Sequence, residues 1–272
     1  MRYKELGSRF KEYENQYAAQ KVLPLQPIIA RLDGHSFHTF TRGLRRPYDL
    51  RLSKLMKDTA KFLMEKSGAR LAYTQSDEIS LLWYNENTHH QTFFGGKINK
   101  MTSILASLAT AYFNKNLPDL IPEKSNILAI FDARIFNIPN LNEMACYFIW
   151  RELDAATNSV SMAAQSVYSH NDLDKKSIKR QQEMLFTKGI NWNDYPIFFK
   201  RGTYLQYISK YTSFSTEEIN KLPAKHQAKT DPSLKILRQI IVRQKWPKLN
   251  SIENKIDVLL NNEKPILKVY NG

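Results

Sequence analysis

Apolar residues return at helical spacing over 5–20, 50–66 and 97–115, and crowd into short runs at 24–33, 69–76, 79–84 and 127–139. Between Leu50 and Lys66 the stripe is Leu52, Leu55, Met56, Thr59, Phe62 and Leu63, every third or fourth residue, as expected of a helix burying one face. Gly68 stands where such a helix stops, since glycine accepts the left-handed turn that closes a helix C-terminus. A second stripe runs through Ile98, Met101, Ile104, Leu105, Leu108 and Tyr112. "PLQPIIARLD" (24–33) reads as a strand with Asp33 at its end, and Gly34 begins a turn. The runs 69–76 and 79–84 read as two strands meeting in a tight hairpin at Ser76-Asp77-Glu78. "ILAIFDARIFNIP" (127–139) is a strand pair or one bent strand ended by Pro139, and 140–168 reads as one or two further helices.

The predicted order is β-α-β-β-α-β. It defines an α+β fold of the ferredoxin-like split type, a four-stranded antiparallel sheet with two helices on one face. From residue 171 onward turn signals and basic residues multiply, and "GINWND" and "KLPAKHQAKTDP" read as loops. Residues 1–140 are therefore expected to form the core. Residues 141–272 are expected to form a helical, basic region packed on it as one unit.

Composition narrows the class. Hydrophobic content of 42% and aromatic content of 12% suit a globular chain and exclude a disordered one. The apolar runs fall short of the roughly 18 residues a membrane span needs. The charged start of the chain has no apolar targeting stretch, so no secretion signal is expected. A lone cysteine, Cys146, sits in "MACYFIW"; it is expected in the core, and a chain without an internal disulfide suits the reducing cytoplasm. His89-His90 has no partner at ligand spacing, so no metal is expected there. The net charge is +14, and residues 171–272, with 19 basic and 10 acidic side chains, hold +9 of it. Such a chain favours a polyanionic partner, nucleic acid first and an acidic membrane surface second.

Chemistry concentrates at "ARLDG" and "YTQSDEIS". In the predicted sheet the first strand neighbours the hairpin, so Asp33 and Asp77 approach each other across 44 residues of sequence. Converging carboxylates repel unless a cation lies between them, and Mg²⁺ suits such a pair. The segment "DGHSFHTFTRGLRRPYD" (33–49) has the makings of a triphosphate loop, with backbone N–H groups and the guanidinium groups of Arg42, Arg45 and Arg46. The competing reading is a plain loop, with Phe37 and Phe40 packing it and the arginines in water. At this stage a metal-dependent nucleotidyltransferase, a nucleotide cyclase and an RNA-binding module all remain open.

The blocks "ARLDGHSFHTFTRGLRRPYD", "AYTQSDEISLLW", "FDARIFNIPN", "WRELDAATNSVSMAAQ", "EMLFTKGINWND" and "KRGTYL" resemble the tRNA(His) guanylyltransferase superfamily. More narrowly they resemble its bacterial-type guanylyltransferase-like branch, the 3′–5′ RNA polymerases. The resemblance spans about residues 5–204 and implies a polymerase-type palm that extends RNA at its 5′ end. The end is first activated, by adenylylation or as a 5′-triphosphate; the 3′-hydroxyl of an incoming nucleotide then attacks it. The resemblance implies catalytic Asp33, Asp77 and Glu78, with two Mg²⁺ ions on Asp33, the Gly34 carbonyl and Asp77. It implies ATP, GTP or another nucleotide along Asp33, Gly34, His35, Ser36, Phe37, His38, Arg46, Ser76 and Asp77. It also implies tRNA as partner and a homotetramer.

One departure bears on the substrate. Eukaryotic members carry a His-x-Asn-Asn element that reads tRNA(His). Here "DAATNSV" has Ala156 at the histidine position, Asn158 at an asparagine and Ser159 at the other. Template-dependent repair of 5′-truncated tRNA is therefore expected ahead of G−1 addition. Lys175, Lys176, Lys179, Arg180, Lys200 and Arg201 are expected, with Asn158, to meet the RNA.

Overall fold

The computed structural model describes residues 3–87, 91–231 and 233–269; His89-His90 lies outside them. Ten α-helices are described: α1 (Tyr3–Ala18), α2 (Phe37–Phe40), α3 (Leu50–Ser67), α4 (Ile98–Leu120), α5 (Leu141–Gln165), α6 (His170–Leu173), α7 (Ile178–Thr187), α8 (Ile197–Arg201), α9 (Thr216–Lys221) and α10 (Lys255–Asn261). The strands are β1 (Ile28–Gly34), β2 (Leu71–Gln75), β3 (Glu78–Trp83), β4 (Phe131–Asn137), β5 (Thr203–Ser213) and β6 (Lys235–Arg243).

All six strands form one antiparallel sheet in the order β4-β1-β3-β2-β5-β6. Four of them match the expected strands. The other two correct the expectation of a four-stranded sheet, because β5 pairs with β2 (Thr74 opposite Thr203) and β6 with β5. Both come from the segment expected to be loops and basic residues.

The sheet is covered on both sides, which explains why β2 and β3 read as near-continuous apolar runs. On one face Ala30, Leu32, Ile79 and Leu81 pack against Leu55, Met56 and Leu63 of α3 and Leu105 and Phe113 of α4. On the other, Ile29, Leu71, Tyr73 and Leu82 pack against Met144, Tyr147 and Phe148 of α5 and Val258 and Leu259 of α10. Each fully buried side chain of this size contributes about 1.5–3 kcal/mol through apolar burial.

Local signals set the helix ends. The Asp49 carboxylate accepts the Arg51 N–H at 2.9 Å and starts α3, and Gly68 at φ 68° ends it as the sequence predicts. Helix α4 runs past the expected end at 115 and through Pro118, held by the buried Leu117. Segment 141–165 is a single helix begun by Asn140, whose side chain accepts the Glu143 N–H. Cys146 corrects a second expectation: it is exposed, because helical spacing turns its neighbours Met144, Ala145, Tyr147 and Phe148 inward instead. Among the described residues no helix is long and apolar enough to cross a membrane.

Candidate active site

The central strands deliver two acids to one end of the sheet. β1 ends at Asp33-Gly34 beside the β2–β3 turn, and the Gly34 N–H donates to the Asp77 carbonyl at 3.2 Å. The turn is tight: Ser76 takes φ 53°, and the Gly34 N–H ties it to β1. Burial, joined by the nearby Asp33 charge, pushes the Asp77 carboxyl above the ordinary aspartate range, while a hydrogen bond from Ser76 works against that. The Asp77 carboxylate is therefore opposed both by burial and by a like charge.

Glu78 is held by a partner of opposite charge. Its carboxylate accepts from Arg151 Nη1 of α5 at 2.5 Å, and both side chains are largely buried, at 16% and 6% exposure. Burial still raises the Glu78 carboxyl above its ordinary value; Arg151 and Arg31 partly offset this. The Arg151 guanidinium also stacks 3.6 Å over the Trp150 ring and pairs with Asp154 at 3.1 Å. Asp77 thus lines the open site and Glu78 is held in a buried ion pair, with the Asp33 charge acting on both.

The segment after β1 folds over the acids. Phe37 and Phe40 are buried against Phe113, and Phe37 also against Phe131, so the aromatic half of the plain-loop reading holds. Gly34 is required by close approach: a Cβ there would lie 2.3 Å from the Phe37 ring. His35 is exposed and its N–H donates to the Ile130 carbonyl at 2.8 Å; His38 is exposed with its ring 3.1 Å from the Thr39 hydroxyl. Ser36 takes φ 56° to begin α2, and Arg42, Arg45 and Arg46 are exposed. Lys124 donates to the Arg42 carbonyl at 2.6 Å, and Arg51 joins Asp49 to Glu123, so the far side of this segment is clamped.

A cavity of about 510 Å³ opens beside Asp77 and this loop. Gly34, Ser36, Phe37, His38, Arg46, Ser76 and Asp77 line it, seven of the nine expected nucleotide residues, while Asp33 and His35 are outside its lining. The lining also takes in parts of the chain the sequence did not connect to the site: Lys57 of α3, Gln165 of α5, Phe198 and Phe199 of α8, and Thr203 of β5, which pairs with Thr74 beside the β2–β3 turn.

Register reveals further groups. Asp132 of β4 is directly opposite Asp33, and Arg134 opposite Arg31, so each pair shares a face. Asp132 pairs with Arg134 at 3.6 Å, while Arg31 buries its Nε without a hydrogen-bond partner. The block "FDAR" held both residues, but only the β1–β4 pairing brings them to the acids.

The expected RNA residues are scattered. Lys175, Lys176, Lys179 and Arg180 are exposed around the start of α7, and Arg180 pairs with Glu183 at 2.9 Å. Lys200 lies 5.4 Å from the Trp192 ring and donates to the Asn193 carbonyl. Arg201 points inward, 3.9 Å from Glu152 and 3.4 Å from the Trp246 carbonyl. Asn158 is exposed and donates to Asp154; Ser159 is fully buried and accepts the Trp192 indole N–H at 3.0 Å.

Two neighbouring acids at the ends of central strands, one of them lining a cavity with a glycine-led loop and arginines, make a site built for a cation and an anionic ligand together. Comparison with known proteins gives the family. The family model described as tRNAHis guanylyltransferase matches residues 7–139. The chain is 31% identical to the tRNA(His) guanylyltransferase of Schizosaccharomyces pombe, over 72% of this chain and 79% of that one. It is 31% identical to the uncharacterized protein R259 of Acanthamoeba polyphaga mimivirus, over 74% and 76%. Among solved structures, a bacterial tRNA(His) guanylyltransferase (Thg1)-like protein in complex with ATP matches with a TM-score of 0.70 and 41% identity, over 75% of this chain and 87% of that one. The Saccharomyces cerevisiae tRNA(His) guanylyltransferase matches with a TM-score of 0.62 and 30% identity, over 71% and 91%. The chain belongs to the tRNA(His) guanylyltransferase family and is a nucleotidyltransferase.

Proposed function

We propose that the protein is a Mg²⁺-dependent 3′–5′ nucleotidyltransferase acting on tRNA, and that it rebuilds 5′-truncated tRNA against a template strand. The observation that carries this reading is the approach of Asp33 to Asp77, which lines the cavity together with Gly34, Ser36 and Arg46. The β4-β1-β3-β2 order of the central strands supports the ferredoxin-like palm.

The donor set fits Mg²⁺. Among the described residues no group of three or more His, Cys, Asp and Glu side chains is placed to hold a metal, but Mg²⁺ typically takes only one or two carboxylates and fills its shell with water and phosphate oxygens. Asp33, Asp77 and the Gly34 carbonyl are the proposed ligands. Ions bound there supply positive charge that activates a hydroxyl and stabilises a leaving oxygen. Ser36, His38, Ser76 and Arg46 then hold the triphosphate, Arg46 through charge-assisted hydrogen bonds. ATP or GTP serves as substrate, a reading supported by the bacterial relatives solved with ATP and with GTP. The 3′-hydroxyl of the incoming nucleotide attacks the activated 5′ phosphate and displaces AMP or pyrophosphate. Glu78, committed to Arg151, is assigned a positioning role next to Asp77. Lys175, Lys176, Lys179, Arg180 and Lys200 are proposed RNA-backbone residues, in a cytoplasmic homotetramer.

Two observations favour repair over G−1 addition. Identity is 41% and 38% to the bacterial-type structures against 30% to the S. cerevisiae enzyme. On α5, Ala156 offers no imidazole and Ser159 is spent on Trp192, which removes two groups that would read tRNA(His). G−1 addition is the second reading, supported by the names of the curated relatives. The test supplies a 5′-truncated, 5′-triphosphorylated tRNA with all four nucleoside triphosphates. The expected product is longer at its 5′ end, with the added nucleotide following a changed template base. Addition of G whatever the template base would establish the second reading. No extension, or equal extension by Asp77→Ala, would sink both.

A further inference from the structure

The cavity lining carries a further cation, on α3. Lys57 is half-buried on its lining, 5.1 Å from the Phe198 ring, and among the described residues it donates no hydrogen bond and pairs with no carboxylate. The nearest acid in sequence, Asp58, is already paired with Lys54 at 2.5 Å. Burial and the neighbouring Arg243 guanidinium push the Lys57 ammonium below the ordinary lysine range, with Lys54 adding to this and Asp58 opposing it. Arg243 is the last residue of β6, opposite Leu205 in the ladder, and it too lacks an acidic partner among the described residues. The two cations repel each other with no anion between them, and the ladder sets Arg243 opposite Leu205, two residues along β5 from Thr203 of the cavity lining.

We propose that Lys57 and Arg243 form a phosphate subsite that takes a backbone phosphate of the RNA strand being extended. This rests on the reading that the protein acts on RNA. The nucleotide's own phosphates are assigned to Gly34–His38 and Arg46, which leaves Lys57 and Arg243 for a different phosphate. The surroundings suit a nucleic-acid strand. Tyr48, Phe198 and Phe199 cluster beside Lys57, with Tyr48 5.2 Å from Phe198 and 4.9 Å from Phe199, and aromatic faces interleaved with cations are how proteins hold unpaired strands. Arg243 lies far beyond residues 7–139, so the subsite joins the C-terminal strand to the catalytic cavity.

The test measures equilibrium binding of a 5′-truncated tRNA to the full chain across a salt series, and separately the KM for ATP and GTP. Lys57→Met and Arg243→Met keep much of the apolar stem. Each is expected to weaken RNA binding severalfold at moderate salt and to lower the log–log salt slope by about one, the signature of a lost phosphate contact. Nucleotide KM should stay within twofold, and Lys57→Arg should restore the slope. An unchanged RNA affinity and slope overturns the subsite, as does a raised nucleotide KM with RNA binding intact, which would give the pair to the nucleotide. Wild-type protein that binds RNA with the expected slope loss in the variants, yet extends nothing, overturns the repair reading and leaves the subsite standing. Wild-type protein that binds no RNA overturns both.

Discussion

Arg151 on α5 holds the Glu78 carboxylate at 2.5 Å, so the residue next to Asp77 is fixed by a helix 73 positions further along the chain. Breaking a buried ion pair from one side leaves an uncompensated charge, at a cost of about 3–5 kcal/mol. Glu78→Gln is expected to cost about 3 kcal/mol, the low end of that range, because Asp154 still holds the other Arg151 nitrogen at 3.1 Å. Urea denaturation of Glu78→Gln, Arg151→Met and the double variant checks this. The double variant should lose less than the sum of the two single losses.

Asp77 shows the opposite balance. Its buried charge beside Asp33 gains nothing in the protein without metal, so its removal relieves the fold while disabling the site. Asp77→Asn should abolish 5′ extension, and its melting midpoint should be unchanged or correspond to a gain of up to about 1 kcal/mol. A large drop in the midpoint would assign Asp77 to structure instead.

Gly34 is a matter of space. Adding a methyl group would set a carbon 2.3 Å from the Phe37 ring, which is packed between Phe40, Phe113 and Phe131 and has nowhere to go. Gly34→Ala is expected to cost about 1–3 kcal/mol through overpacking and to raise the nucleotide KM by displacing the loop. Thermal unfolding and steady-state kinetics on the same sample read both effects.

Asp49 sets an acid limb. The Arg51 guanidinium, with backbone N–H donors behind it, lowers its carboxyl from 3.8 to about 2. The folded state therefore holds the proton less readily than the unfolded chain. Its contribution is present above pH 4 and is lost as pH falls from about 4 toward 2. Because Arg51 is partly exposed, the contribution is about 1–2 kcal/mol. Asp49→Asn should lower stability at pH 7 by that amount and flatten this part of the stability curve between pH 4 and 2.

The elements that position the acids were legible because their signals are local. The α3 stripe ends at a glycine in the left-handed turn the sequence asked for, and Asp33 and Asp77 meet because short strands with a tight turn leave few alternatives. What was missed depends on distant pairing. "TYLQYISKYT" alternates in the manner of a strand, but basic residues and nearby turn signals masked it, and nothing local says that Thr203 lies opposite Thr74. Arg31, Arg134 and Asp132 were all in plain view, yet their relation to Asp33 exists only in the β1–β4 register. Cys146 was misjudged from an apolar run that helical spacing splits into inward and outward positions.

The pairing of β5 with β2 means that the catalytic half of this chain cannot be cut free and keep its pocket. A fragment ending at Asn140 would retain Asp33, Asp77 and the whole 34–46 loop, yet lose Gln165, Phe198, Phe199 and Thr203 from the cavity lining. It would also bare the β2 edge, turning an internal strand into a template for aggregation. Residues 7–139 carry the family's signature, but the smallest working unit extends at least to β5.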